Sequence, residues 1–546
     1  MLARNLLLTF AALPFLLAAS HEQQPLHSEN FLDDVLDFKW PVKKVAIIGA
    51  GVSGLVAYRE LSRAGFEQVR VFERDDVPGG NWHYTEETPL DAPIPNVDPS
   101  VGDFAPSLPP PGVSLPFERE YDNGEALWRE HRGPKPVWES LESNAPAPVQ
   151  QITEIPWPAG TPWHIPHRTL ARYLRAFASF HGVNSNDANP DIEYKTRVEL
   201  VEKRYDQTGA EHGWTLTLRR VDPIGSRSKA TWWTEDFDAI VVATGRYNAP
   251  NVPQIEGLAD WTKKFPGTII HSRQYRRPQP LANETVLVVG GATSGVEISR
   301  EISAFAGKVY QSVRPPNSKL PFEAGRLQLY RLPPNVSVVP EIRRFHASNS
   351  SIELVNGTFL LNIDRLIFAT GFRYSFPFLP QFHNSSASPS GHPIVTDGTH
   401  LRSLHEDFLS IEEPTIGFLS MNWGMQSFTY SEYLSLALAK LWSGKAVLPG
   451  KATLWRLYEA RVRDRGGYGR HFQFLGNERT AANIRAFIGW LNEAAVKFGG
   501  RQIDGQSQDL DEIMKVWALA RYGDTIARPT EDRIVESLDW VHGEDW

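Results

Sequence analysis

The sequence predicts an α/β fold in which one parallel-sheet domain is inserted into another. Three observations carry that prediction. "VAIIGAGVSG" at 45–54 and "VLVVGGATSG" at 286–295 each pass from an apolar run through glycines into a helical pattern. "DAIVVATGRY" at 238–247 and "DRLIFATGFRY" at 364–374 repeat an acid, an apolar strand and Ala-Thr-Gly, one on either side of the second glycine turn. The chain is 546 residues long, more than a single core organises.

The elements follow in order. Residues 1–20, "MLARNLLLTFAALPFLLAAS", place one Arg before an apolar run and end in small residues, which is signal-peptide grammar with Ala18-Ala19-Ser20 as the cleavage region. The run is shorter than the ~20 residues of a comfortable bilayer span, so membrane association is expected only if the segment stays uncleaved and anchors the chain. Five Asn-x-Ser/Thr sequons, at Asn283, Asn335, Asn349, Asn356 and Asn384, agree with entry into the secretory pathway, as ER-lumenal or secreted protein. The first domain opens over 41–250. Its "VAII" is a continuous apolar run, as a buried parallel strand requires. Leu55, Tyr58 and Leu61 recur at helical spacing, and "VRVFE" is the next strand. Residues 86–117 hold nine prolines and read as an irregular surface excursion, a lid or padding. "HRTLARYLRAFASFHG" puts Leu170, Tyr173, Leu174, Phe177 and Phe180 on one helical face. The inserted domain spans 251–363, the first domain resumes over 364–450 with 364–372 as the return crossing, and a mainly helical extension occupies 451–546.

In such a turn the first glycine makes the bend, the second admits a pyrophosphate to the backbone, and the third packs helix on strand. The helix N-terminus offers free N–H groups and partial positive charge. Gly49, Gly51 and Gly54 fill these places in the first turn. Gly290 and Gly295 fill two of them in the second, with Ala292 in the middle and Thr293 and Ser294 beside it. Both units are therefore Rossmann-like dinucleotide-binding domains. Glu73 and Arg314 each stand 19 positions past the third glycine. A carboxylate there accepts from ribose hydroxyls, as FAD offers. An arginine there pairs with a 2′-phosphate, as NADPH carries, and Ser312 adds a hydroxyl donor. One chain holding FAD and NADPH moves a hydride from nicotinamide to flavin.

On these motifs the sequence resembles the flavin-containing monooxygenase family over most of residues 43–450. "FERDDVPGGNWHY" is similar to the family's flavin-side segment, through Glu73, Gly80, Asn81 and Trp82. "FPGTIIHSRQY" matches the family fingerprint through Phe265, Gly267, His271 and Tyr275. The resemblance implies a domain- and cofactor-positioning role for His271. Related Baeyer–Villiger enzymes end that fingerprint in Trp, so Tyr275 leans toward heteroatom oxygenation. "WESLESNAPAPVQQI" resembles the segment carrying the family's active-site asparagine, which places Asn144 at the flavin with Ser143 beside it. Gly371, in the second Ala-Thr-Gly, completes the cofactor-binding set. The implied activity uses NADPH and O2 to put one oxygen atom on a small-molecule substrate at nucleophilic N or S through a C4a-hydroperoxyflavin. Baeyer–Villiger oxygenation of a ketone, or a non-catalytic secreted flavin-binding protein, are the alternatives. The region "NWGMQSFTYSEYLS" follows the family loosely, with Tyr433 where Gln is common.

Other classes are excluded or disfavoured. With no cysteine the chain has no disulfide and no redox dithiol, which removes a disulfide reductase. A net charge of −8 disfavours nucleic-acid binding. The sequence has no His-Glu-x-x-His helix and no Gly-x-Ser-x-Gly elbow, and "GKAVLPGKA" puts Ala452 where a phosphate loop needs Ser or Thr. The acid pairs Asp33-Asp34 and Asp75-Asp76 read as solvated.

Overall fold

The computed structural model describes residues 34–314, 329, 331–386, 390–505, 509–510, 512–514 and 516–517. The leader and the last part of the C-terminal extension lie outside the described residues. Among the described residues no helix is long and apolar enough to cross a membrane.

The first domain is built on a seven-stranded sheet. An interior strand, Lys44–Ile48, pairs in parallel with Gln68–Phe72 on one side and Ala239–Val242 on the other. Ile416–Phe418 continues the sheet in parallel beyond Ala239–Val242, so chain from after the second turn returns to the first sheet. The strands are apolar runs because helices cover them: Leu55, Tyr58 and Leu61 of helix Val52–Ala64 are all buried in the core. Helix His167–Phe180 buries Leu170, Tyr173, Leu174 and Phe177 as its spacing predicts. Phe180, expected on that face, is 64% exposed. It is the last residue of the helix and sets its ring edge-on to His181 instead.

The second domain holds a five-stranded sheet ordered Ile269–His271, Arg365–Phe368, Thr285–Val289, Lys308–Ser312, Val336–Val339. This corrects the boundary at 363/364. Arg365–Phe368 pairs in parallel with both Thr285–Val289 and Ile269–His271, so it is an interior strand of the second sheet and the return crossing begins after it.

The echo between 238–247 and 364–374 has a structural cause. Each copy lies beside the glycine-turn strand of its own domain. Asp238 accepts from the backbone N–H of Lys43 and Lys44 at 2.9 and 2.8 Å, and Asp364 accepts from that of Thr285 at 2.8 Å. Each acid pins the start of the strand that feeds the turn. Each Ala-Thr-Gly then lies against the first glycine of the turn.

Two features were not legible in the sequence. Phe117–Tyr121, Arg227–Phe237, Glu211–Ile224 and Thr196–Tyr205 form a four-stranded sheet, with Trp214 and Trp232 buried. Residues 86–117 are neither lid nor padding but a strap tied to both domains. Asn96 and Val252 exchange two hydrogen bonds, and Arg273 and Arg373 donate to Leu90 O and Val97 O at 2.7 and 2.8 Å.

Candidate active site

The two glycine turns face one cavity of about 1270 Å³. That exceeds the ~300–1,000 Å³ of a site for one small ligand. Gly49 and Gly51 line one end, and Thr293 and Ser294 line the other.

The turns are built alike. Gly49 has φ +104°, and a Cβ there would lie 2.8 Å from Ala243 O. A Cβ on Gly54 would lie 1.8 Å from Gly49 O, so only glycine lets the helix start against the bend. Gly290 and Gly295 repeat both relations, at 2.5 Å to Ala369 O and 1.9 Å to Gly290 O. Neither following helix carries a side-chain N-cap. Their first-turn N–H groups are therefore open for phosphate. A Cβ on Gly80 would come within 2.9 Å of Gly51 Cα, so the flavin-side segment lies flat on the turn as a cradle that side chains would fill. The open amides, the cradle and the acid beyond them fit FAD.

Glu73 is 4% exposed and lines the cavity. Its Oε2 accepts from Ala50 N at 2.7 Å and its Oε1 from Asp75 N at 2.9 Å, which leaves lone pairs for a ribose. Asp75 is not solvated as expected. It is buried, accepts from His83 at 2.9 Å and lies near Arg132. Burial pushes its carboxyl up, but His83 and Arg132 outweigh that and hold it well below the usual range. Lys135 also lines the cavity, near Glu73, and burial followed by the charge of Arg74 pushes its ammonium down.

Asn144 lines the cavity with an exposed side chain. Ser143 is fully buried and does the anchoring: its N–H donates to Ile165 O at 2.8 Å, and its hydroxyl donates to Ala145 O at 2.8 Å. Ser143 therefore holds the loop that presents Asn144 and does not reach the cavity, contrary to its assignment to the cofactor.

His271 is buried behind the cavity wall. Its Nδ1 accepts from Arg273 N at 3.2 Å, so Nε2 carries the hydrogen and donates to Gly371 O at 3.0 Å. Burial, with the charge of Arg273, pushes the ring down to about 3. It is neutral at working pH and clamps the fingerprint strand to the return crossing. Gly371 serves as the clamp's acceptor and is not a cavity residue. Tyr275 is 2% exposed and donates to Glu301 at 2.8 Å, so it is a core residue of the second domain that touches no substrate. Ser312 is also corrected: it is buried and its hydroxyl donates to Pro340 O at 2.9 Å. Arg314 is exposed two residues beyond the end of strand Lys308–Ser312 and outside the cavity lining.

Sequence reasoning missed the cavity's far wall. Phe474, Asn477, Met514 and Trp517 of the C-terminal extension line it, and the ring of Trp517 lies 6.4 Å from that of His164. The extension is held from the first domain by Lys440, whose Nζ donates to Leu491 O and Arg501 O at 3.0 Å each. Only the number of Trp residues in the tail hinted at packing there.

Comparison with known proteins agrees with this geometry. The family described as Flavin-binding monooxygenase-like matches residues 113–319, and the NAD(P)-binding Rossmann-like domain matches residues 47–98. The family described as Pyridine nucleotide-disulphide oxidoreductase matches residues 234–407; without cysteine, what is shared is architecture and not dithiol chemistry. The chain is 55% identical over 511 residues to the flavin-containing monooxygenase iboF of Amanita muscaria, covering 88% of this chain and 95% of that protein. It is 30% identical over 490 residues to the flavin-containing monooxygenase ustF2 of Aspergillus flavus, covering 82% and 92%. In fold it resembles S-allyl-L-cysteine S-oxygenase from Allium sativum, with TM-score 0.62 and 22% identity over 91% of this chain and 97% of that one. With two glycine turns on one cavity and a buried acid beside the first of them, the chain belongs to the flavin-containing monooxygenase family and is an FAD-containing, NADPH-dependent monooxygenase.

Proposed function

We propose that the oxygen atom goes to a nucleophilic nitrogen or sulfur of a small molecule. The observation that carries this reading is the wall around Asn144. An open side-chain amide stands in a cavity lined by Trp82, Trp423, Met425 and Phe474. Aromatic and thioether walls exclude water and accept a neutral amine or thioether. The amide donates and accepts, so it orients a ligand without shifting its charge.

The bound flavin, reduced by NADPH, supplies the oxygen-transfer chemistry with O2; the protein supplies position and dryness. Glu73 and the first turn fix the adenosine and phosphate end. Arg314 and the second turn fix the other dinucleotide. The clamp from His271 Nε2 to Gly371 O keeps the fingerprint strand against the return crossing, so the second domain stays docked. Asn144 holds the ligand at the junction.

The test is product analysis with thioethers, tertiary amines and cyclic ketones under NADPH and air. The reading expects N- or S-oxides, with NADPH consumption that rises with substrate. Lactones from the ketones as the main product overturn it. In Asn144→Ala the fraction of NADPH lost to hydrogen peroxide should rise by about ten-fold, and unchanged coupling removes Asn144 from the site.

We also propose that the chain enters the secretory pathway, supported by the leader and by the exposure of Asn283, Asn335, Asn349 and Asn356. A mass drop on endoglycosidase treatment of protein from a eukaryotic host is expected. An unglycosylated chain that keeps residues 1–20 in the cytosol overturns the proposal.

A further inference from the structure

We propose that the strap closes the adenosine end of the FAD site, the ring of Phe104 forming a wall on which the adenine stacks. In FAD the ribose stands between the pyrophosphate and the adenine. With the pyrophosphate at the first turn and the ribose at Glu73, the adenine falls beyond Glu73. Asp103 and Phe104 of the strap line the cavity, together with Glu73, Arg74, Thr196 and Arg197. Contacts close a ring around that place. Thr196 N donates to Glu73 O at 2.8 Å, Arg74 donates to Asp103 at 3.0 Å, and the guanidinium of Arg197 lies 4.2 Å from the centre of the Phe104 ring. The strap is seated closely on both flanks of Phe104. Asp103 N donates to Ser375 Oγ at 3.2 Å, Ser107 N donates to Glu199 at 2.8 Å, and a Cβ on Gly102 would lie 3.1 Å from that of Ala249.

Phe104 packs against the core of Val198 and Trp214 yet stays half-buried, with accessible surface in the cavity lining. Arg197 takes one face of its ring and is itself held by Glu199 and Glu130 at 2.9 and 2.7 Å, so that face is fixed by the protein. An adenine on the remaining surface takes apolar area out of water and stacks π on π. Arg74 gives the contrast. It is already spent on Asp103 and Asn248, at 3.0 Å each, and ties the strap to the end of strand Gln68–Phe72. Every base has a π face, so such a wall selects for the presence of a base, FAD over FMN. The inference rests on FAD at the first turn and is independent of the nitrogen-or-sulfur reading.

The test separates the two halves of the cofactor. The full-length apoprotein, wild type and Phe104→Ala, is titrated with FAD and with FMN, following flavin fluorescence. FMN keeps the isoalloxazine, the ribityl chain and one phosphate but lacks the adenosine. Phe104→Ala should bind FAD about ten-fold more weakly than wild type, and FMN within about two-fold of it. An FAD affinity within about two-fold of wild type, or equal losses for FAD and FMN, overturns the stacking. If Phe104→Ala does not fold, or FMN binds too weakly to titrate, wild type decides alone by limited thermolysin digestion. With NADP+ present throughout to fill the second turn, excess ADP, which carries only the adenosine half, should slow cleavage within 86–117 by about five-fold. Cleavage at the ligand-free rate in ADP overturns the proposal.

Discussion

Replacing Glu73 by Gln isolates what the buried carboxylate does. Its two oxygens accept from Ala50 N and Asp75 N at 2.7 and 2.9 Å. An amide has one oxygen, so one of these backbone donors must face Nε2–H instead. A buried donor left without an acceptor costs about 1–3 kcal/mol. That cost falls on apoprotein and holoprotein alike and lowers the melting temperature of both. Separately, the variant loses the charge-assisted bond to a ribose hydroxyl, about 1.5–3 kcal/mol. Only this part enters the binding constant, so the Kd for FAD should rise roughly 10- to 150-fold. The assay is fluorescence titration of refolded apoprotein with FAD, with NADPH titrated in parallel as a control at the other turn. An FAD Kd within about two-fold of wild type, on a protein that melts lower, refutes the reasoning. Glu73 would then brace the glycine turn without reading the ribose.

Three further outcomes are expected. Arg314→Ala should weaken NADPH by roughly 10- to 150-fold and NADH by less than about two-fold; equal losses in Kd reject the 2′-phosphate role. Burial pushes His271 down to about 3 and His400 and His405 to about 4, the first two with help from Arg273 and Arg402. Unfolded, each titrates near ~6.5, so stability is full above that pH and falls below it as the unfolded chain takes up protons first. The three together cost about 4 kcal/mol per pH unit just below ~6, so the urea midpoint should drop sharply between ~pH 7 and ~pH 5.5, and a flat midpoint counts against it. Arg276→Met removes a charged donor from the carbonyls of Thr85, Glu87 and Lys135, leaving Glu87 O only Thr85 Oγ1 and Lys135 O only Val137 N. At about 1 kcal/mol each this should free the strap, read as faster proteolysis within 86–117 and more peroxide per NADPH; wild-type rates for both reject the strap's role.

The glycine turns were legible because their chemistry is local. Gly49, Gly54, Gly290 and Gly295 are dictated by contacts within a few residues and by one neighbouring strand. The same holds for Asn144, whose loop reads as a short segment. What sequence could not show is what depends on distant chain. Ser143, His271 and Gly371 sit beside cavity residues in sequence, yet they, like Ser312, spend their polar groups on the protein's own backbone. The boundary at 363/364 failed because "DRLIFATG" reads equally well as a linker or as an interior strand, and only pairing on both edges decides.

The strap shows why a proline-rich segment can be structural without regular structure. Nine prolines remove nine N–H donors from residues 86–117 but leave every carbonyl. Such a segment is rich in acceptors and cannot satisfy itself. The structure meets it with donors from elsewhere. Arg129 donates to Thr88 O and Pro89 O, Arg273 to Leu90 O, Arg373 to Val97 O, and Trp232 to Ser107 O. Arg276 holds Glu87 O and Thr85 O at the strap's start. Burial lowers Arg273 and Arg276 only to about 10, so both stay charged and the bonds stay strong. Arg273 and Arg276 flank Tyr275 at the end of the fingerprint, which also carries the clamp to Gly371. The strap and the fingerprint are therefore one device: a change that frees Arg276 should loosen the second domain from the first even though Arg276 touches neither dinucleotide turn.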